Sequence, residues 1–321
     1  LNNGLRAAME HDHRVLLMGE DIATLGGVFR VTDGLAKDFS ESRVIDTPLG
    51  EAGIVGTAIG LALRGYRPVC EIQFDGFVYP AYDQIVTQLA KMRNRSEGKL
   101  RLPVVIRIPF GGGIGAVEHH SESPEVYFAH TPGLKVVTCS NPADGYLMIQ
   151  QAIASDDPVI FLEPKRRYWD KAEVDERLNP TDGSSLGLHR ARVLREGGDV
   201  TVVAYGPMVK TSLSAAQTSE AEGGPALEVI DLRSLSPIDF ETVIASVRKT
   251  GRLVVTHEAH RSFGLGAEIA ARVGEECFYH LEAPVHRVTG FDAPYPPARV
   301  EEHFLPDVER VLDGVDQAMG Y

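Results

Sequence analysis

The chain has 321 residues, with 32 Lys and Arg against 45 Asp and Glu, so its net charge is −13 with histidines neutral. At 43% hydrophobic and 24% charged it can bury a core, and its length suits about two domains. The acidic balance and the lack of Lys/Arg-rich runs exclude phosphate-backbone recognition, so nucleic acid is not expected as a partner.

Residues 1–9 read as part of an amphipathic helix rather than an initiator or a signal peptide, so part of the true N-terminus is expected to be missing. From 14 to 164, β-rich apolar runs (VLLMGEDI, VIDT, PVCEI, PVVIRIP, LKVVTCS, PVIFLEP) alternate with helix-like segments at 51–64, 81–95 and 142–154. That rhythm predicts a parallel sheet with helices on both faces. Residues 165–189 break it with charge and turn formers, and read as a linker. It restarts with DVTVVAYG, ALEVIDL, RLVVTHEA and PVHRVTG, separated by helix candidates at 209–222, 240–249 and 266–276. A second, smaller α/β domain is expected there, closed by an amphipathic helix over 301–319. No apolar run reaches the roughly 20 residues that cross a bilayer, so a soluble protein without a membrane partner is expected. Cys70, Cys139 and Cys277 are far apart and read as buried reduced thiols of an intracellular protein; a metal or redox site wants close spacing such as C-x-x-C.

Three segments carry chemistry. DTPLGEAGIVGTAIGLALRG, 46–65, is a strand end, a tight turn and a helix opened by Glu51. By position alone Glu51 is a first-turn acid favoured by the helix dipole. Gly53, Gly56 and Gly60 share one helical face, and each glycine costs up to about 1 kcal/mol, so that face is expected to meet a subunit partner closely. In 103–125, Gly111, Gly113 and Ala116 formally fit a dinucleotide fingerprint, but EHHSESP follows where a helix should open. A flexible active-site loop fits better, with His119 and His120 at the C-terminal end of a parallel strand and suited to proton transfer. EIQFDGFVYPAYDQ, 71–84, offers Phe74, Phe77 and Tyr79 either to the core or to a flat heterocycle. A metal on His257, Glu258 and His260 would be uncommon at that strand-to-loop spacing.

Taken in order, DTPLGEAG, CEIQFDGFVYPAYDQIV, GGGIGAVEHHSESPE, AHTPGLKVV, DDPVIFLEPKRRY, VIDLRSLSPID, THEAHRSFG and EECFYHLEAPVHRVTGFDAPYPP closely resemble the β subunit of the thiamine-diphosphate-dependent 2-oxo acid dehydrogenases. The resemblance implies an α/β fold of two parallel or mixed-sheet domains. A transketolase-like pyrimidine-binding domain over 1–175 and a connection over 176–195 would lead into a transketolase C-terminal domain over 196–321. It places Glu51 on the glutamate that hydrogen-bonds N1′ of the cofactor's aminopyrimidine, Phe77 on the ring packed against the pyrimidine, and Leu49 on the turn residue lining it. His120 falls on the histidine assigned to acylation of the lipoyl group, with His119 beside it. The family's G-D-G diphosphate motif is absent, which implies that an α subunit holds the diphosphate and magnesium in an α2β2 heterotetramer. A potassium ion would fall by position on the carbonyls of Leu102, Val104, Val105, Ala152, Ser155 and Asp157, with the Asp157 carboxylate placed to join it. EIQFDGFVYPAYDQ, HHSESPE and LEPKRRY favour the branched-chain branch, with pyruvate or acetoin dehydrogenase as the alternative. A lipoyl acyltransferase core and a 2-oxo acid are the implied partner and substrate. Bacterial cytoplasm is the expected location, with the mitochondrial matrix as the alternative. A nonenzymatic scaffold and a nucleotide-binding reductase are the rivals from other classes.

Overall fold

In the computed structural model, which describes residues 1–321, the apolar runs become two sheets. Strands β1 (Val15–Gly19), β2 (Val44–Asp46), β3 (Arg67–Glu71), β4 (Val105–Phe110), β5 (Lys135–Thr138) and β6 (Val159–Pro164) pair in parallel in the first. Downstream follow β7 (Arg192–Arg195), β8 (Val200–Ala204), β9 (Leu227–Asp231), β10 (Ser234–Ser236), β11 (Leu253–His260) and β12 (His286–Gly290). The first sheet has the order β10-β5-β6-β4-β3-β1-β2 and the second β12-β11-β8-β9-β7. VLLMG, VIRIPF, VIFLEP and VTVVA are buried at every position, as strands covered by helices on both faces must be.

Two antiparallel strands lie outside the sequence rhythm. β7 pairs with β9, so 192–195, within the segment expected as a connection, is an edge of the second sheet. β10 leaves the second domain altogether and pairs with β5 at the edge of the first sheet. Three residues, SLS, carry no periodicity from which a strand can be read.

The helices begin where their caps dictate. Asn141 accepts from the Asp144 amide at 2.9 Å ahead of Pro142–Ala154, Asp239 caps Phe240–Thr250, and Asp307 accepts from the Arg310 amide at 2.8 Å ahead of Val308–Met319. Two expected helices are different in the structure. The segment at 81–95 starts as a 3₁₀ turn over Asp75–Ala81 that includes Pro80, widens to a π-turn over Gln84–Leu89 and becomes α-helical only at Ala90–Arg95. The single helix over 301–319 is two, Glu301–Phe304 and Val308–Met319, because Pro306 forces Leu305 into extended backbone.

One continuous apolar cluster runs from Ile54, Ile106 and Phe110 in the first domain to Tyr205, Ile230, Val255 and Leu265 in the second, so the two domains share a core. Cys70, Cys139 and Cys277 are all buried free thiols, and burial pushes Cys70 up to about 12. No helix is long and apolar enough to cross a membrane.

Candidate active site

The carboxyl ends of β2, β3 and β4 open on one edge of the first sheet, where open α/β sheets bind ligands. The turn after β2 is tied back to the loop after β1. Asp46 accepts from the Ala23 amide at 2.7 Å and from both the amide and hydroxyl of Thr24. Burial pushes the Asp46 carboxyl up, but these hydrogen bonds outweigh it and hold the group low. The Gly50 amide donates to Glu20 at 3.2 Å, which fixes the start of helix Glu51–Leu63 and puts half-buried Glu51 in its first turn. Burial and then the neighbouring Glu51 charge raise the Glu20 carboxyl. Leu49 stands 87% exposed on this turn, and Gly53, Gly56 and Gly60 have no atom within 4 Å of where a Cβ would sit. The glycine face is open.

Each residue of the FDGF sequence after β3 has a separate task. Helix Glu51–Leu63 packs on the 3₁₀ turn Asp75–Ala81, which in turn packs on the 3₁₀ turn Glu118–His120. Phe74 stacks on His120 with centroids 4.1 Å apart at 17°, and Phe77 meets the same imidazole edge-on at 5.0 Å and 75°. Phe77 also meets His119 edge-on at 5.5 Å. Fully buried Asp75 accepts from the Glu122 amide at 2.8 Å and forms an ion pair with Lys165, at the end of β6. Any Cβ on Gly76 would overlap the His119 carbonyl, so only glycine lets the histidine turn come this close. His119 is exposed and His120 half-buried, and the His120 Nδ1 is a buried atom without a hydrogen-bond partner. Beneath the edge, buried Arg107 on β4 pairs with Glu71 on β3 at 2.5 Å and Glu163 on β6 at 2.7 Å.

The glycine loop after β4 is clasped by the second domain rather than flexible. The Gly112 amide donates to Glu258 at 3.0 Å, and the Gly113 and Gly115 amides donate to Glu301 at 3.2 and 2.8 Å. Tyr295 donates to Glu301 at 2.8 Å, and a Cβ on Gly112 would overlap that hydroxyl. Amides turned to two carboxylates cannot cradle a nucleotide phosphate, which excludes the dinucleotide reading of Gly111, Gly113 and Ala116. Just beyond His120, fully buried Glu125 accepts from the Tyr205 hydroxyl at 2.6 Å, and burial pushes its carboxyl up to about 7. His257, Glu258 and His260 do not converge on a metal. His257 is buried between the Ala259 carbonyl and the Gly266 amide, Glu258 pairs with Arg166, and His260 is exposed.

Carbonyls expected around potassium lie at the start of β4 and at the end of helix Pro142–Ala154. Leu102, Val104 and Ala152 each already accept one backbone hydrogen bond, from Val104, Val159 and Ser155, and the Asp157 carbonyl accepts from the Ser155 hydroxyl. The Asp157 carboxylate lies between Arg93 and Lys135, which hold it low against burial, so it is not free for an ion.

Residues 1–170 match the family described as transketolase, pyrimidine binding domain, and residues 189–311 match transketolase, C-terminal domain. A solved structure titled split gene transketolase, inactive beta4 tetramer, has the same fold, with TM-score 0.79 and 24% identity over 99% of this chain and 96% of that one. The pyruvate dehydrogenase E1 component subunit beta of Leifsonia xyli subsp. xyli is 61% identical over 100% of this chain and 94% of that protein. The chain belongs to the E1 beta subunits of the 2-oxo acid dehydrogenases. The 3-methyl-2-oxobutanoate dehydrogenase subunit beta of Mycobacterium tuberculosis is 56% identical over 99% of this chain and 90% of that protein. The 2-oxoisovalerate dehydrogenase subunit beta of Pseudomonas aeruginosa is 44% identical over 97% and 91%.

Within this family fold, Leu49, Glu51, Phe77 and His120 lie on successive elements of one edge. Sequence reasoning missed Glu20, Lys165 and Glu301, and weighed Glu258 only as a metal ligand. An acid directly after β1 was a readable signal for Glu20. The other three act through partners far along the chain, which no local pattern announces.

Proposed function

We propose that this E1 beta subunit serves a branched-chain 2-oxo acid dehydrogenase and contributes half of a thiamine diphosphate site, the other half coming from an α subunit in an α2β2 enzyme. The observation that supports it is a juxtaposition at one sheet edge: Glu51 and an 87% exposed Leu49 at the start of a helix that packs on the turn carrying Phe77, which in turn meets His120 edge-on. Those groups suit an aminopyrimidine, since a flat ring needs an apolar shelf and its ring nitrogen needs a carboxyl. When bound, the cofactor supplies the nucleophilic carbon and the electron sink that loss of carbon dioxide from a 2-oxo acid requires. Glu51 holds and shares one proton at N1′, while Leu49 and Phe77 fix the ring plane. His120, oriented by two phenylalanines, holds a proton at the acyl-transfer step to a lipoyl group carried by an acyltransferase core. Magnesium and the diphosphate belong to the α subunit, since no G-D-G motif occurs here. The bacterial relatives favour a cytoplasmic enzyme.

Glu51→Gln keeps size and hydrogen bonding but cannot exchange that proton. In the assembled enzyme it should bind cofactor yet slow thiazolium hydrogen-deuterium exchange by about 10² or more. Exchange at the wild-type rate would reduce Glu51 to a helix-starting acid. A pyruvate dehydrogenase is the second reading, favoured by the 61% identity to the Leifsonia protein of that name. Reconstitution with the α subunit and comparison of 2-oxoisovalerate with pyruvate decides between them.

A further inference from the structure

Helix Val308–Met319 and the edge strand β12 enclose a polar cavity of about 200 Å³ on the second domain, lined by Arg261, His286, Arg287, Arg310, Asp313 and Gln317, with Val288 and Gly314 behind them. None of these belongs to the candidate active site. The three arginines arrive from three places: the loop after β11, β12 itself and the first turn of the helix.

Their charges are unmatched. No carboxylate oxygen lies within 4.0 Å of any of the three guanidiniums, and Asp313 is the one acid in the lining. Arg310 gives one terminal nitrogen to the Phe304 carbonyl at 3.1 Å and the other to the Thr289 carbonyl, and lies 4.7 Å over the Phe291 ring. Arg287 donates to the Arg261 carbonyl at 3.0 Å. These partners satisfy N–H groups but carry no charge, and burial pulls the Arg310 guanidinium below its ordinary value. The His286 Nε2 is buried in the same region without a hydrogen-bond partner. Three cations and an open imidazole nitrogen face one acid in the lining, in a chain of net charge −13, and the further acid that supports Arg310, Asp307 at the start of its helix, forms no ion pair with it. Arg261 is exposed, whereas Arg287 and Arg310 are half-buried; a half-buried cation without an ion-pair partner is costly, and a doubly charged oxyanion taking N–H forks from two guanidiniums offsets that cost.

We propose that this cavity binds a phosphate-type oxyanion, either inorganic phosphate or the phosphoryl group of a small monoester. The volume admits the phosphoryl group and leaves an organic remainder in solvent. The test is calorimetric titration of the full chain in chloride buffer with sodium phosphate, with phenyl phosphate and with a hexaglutamate peptide. Saturable binding of one phosphate per chain, weakened at least tenfold by Arg261→Gln and by Arg287→Gln, is the expected result. Tighter binding of phenyl phosphate identifies a metabolite as the natural source, and equal binding identifies free phosphate. Because both glutamine variants remove an unmatched charge, their thermal midpoints without phosphate should not fall. Heats that follow ionic strength alone and are unchanged in Arg287→Gln would overturn the proposal. Preferential binding of the peptide would do so as well, since the surface would then be a docking site for an acidic segment.

Discussion

Lys165→Met removes one half of an ion pair in which both side chains are 0% exposed. Methionine keeps the length and fills the space, so the loss is mainly electrostatic. Burial alone already pushes the Asp75 carboxyl up and the Lys165 ammonium down, and each is held ionised by the other. Stranding one charge of such a pair costs about 3–5 kcal/mol. Asp75 keeps the Glu122 amide at 2.8 Å, which favours the lower end. With roughly 2–4 °C per kcal/mol for a chain of this size, the thermal midpoint should fall by about 6–12 °C. Catalysis should respond unevenly. Lys165 lies 5.9 Å over the Phe74 ring, and Phe74 carries His120, so lipoyl acylation should suffer more than decarboxylation with an artificial acceptor. Adding Asp75→Asn removes the stranded charge while leaving an oxygen for the Glu122 amide. That double variant should recover more than half of the lost stability in scanning calorimetry. A single variant within about 1 kcal/mol of wild type, or a double variant no better than the single, would refute the assignment of this pair as the clamp on the histidine turn.

Glu125, held at about 7 against an ordinary 4.5, binds its proton more tightly in the folded chain than in the unfolded one. Its contribution is therefore complete below about pH 4.5 and is lost as pH rises to about 7. Glu125→Gln should flatten that part of the curve and raise the urea midpoint at pH 8 relative to pH 5; an unchanged difference between the two pH values would count against it. A Cβ on Gly56 has no atom within 4 Å in the free chain, and Gly56→Leu replaces a poor helix former, so the isolated subunit should be as stable as wild type or slightly more so, while light scattering shows no heterotetramer. Full assembly would mean that the glycine face is not the interface. Gly112→Ala drives a methyl into Tyr295 and should loosen the clasp of Glu258 and Glu301, read as a lower midpoint and faster amide exchange over 111–117; unaltered exchange would mean that the loop is held elsewhere.

Those features that depend on neighbours in sequence were legible. Helix Glu51–Leu63, helix Pro142–Ala154 and the buried parallel strands follow from caps, periodicity and uninterrupted apolar runs. The polar clasp between Gly112 and Glu258 was not, because an amide donor looks the same in every sequence until its partner arrives 146 positions away. GGGIGA reads as a phosphate loop for the same reason: glycines signal that something comes close, and not what. FDGF lies between these cases. Its aromatics were noted, but the division of labour among acid, glycine and rings appears only when the histidine turn is laid over it.

Strand β10 gives the molecule an order of manufacture. As the chain leaves the ribosome, β5 and β6 are complete once Pro164 emerges, yet the strand that closes their edge begins only at Ser234. Through that interval the nascent first domain offers an open row of backbone donors and acceptors beside Lys135–Thr138, the kind of surface on which chains aggregate. A gene fragment ending before Ser234 would leave that edge permanently unpaired, so the pyrimidine-binding half cannot be harvested as a clean module by cutting at the connection. Splitting the protein successfully would require carrying Ser234–Ser236 back to the first half, as a grafted strand or a short peptide supplied in trans.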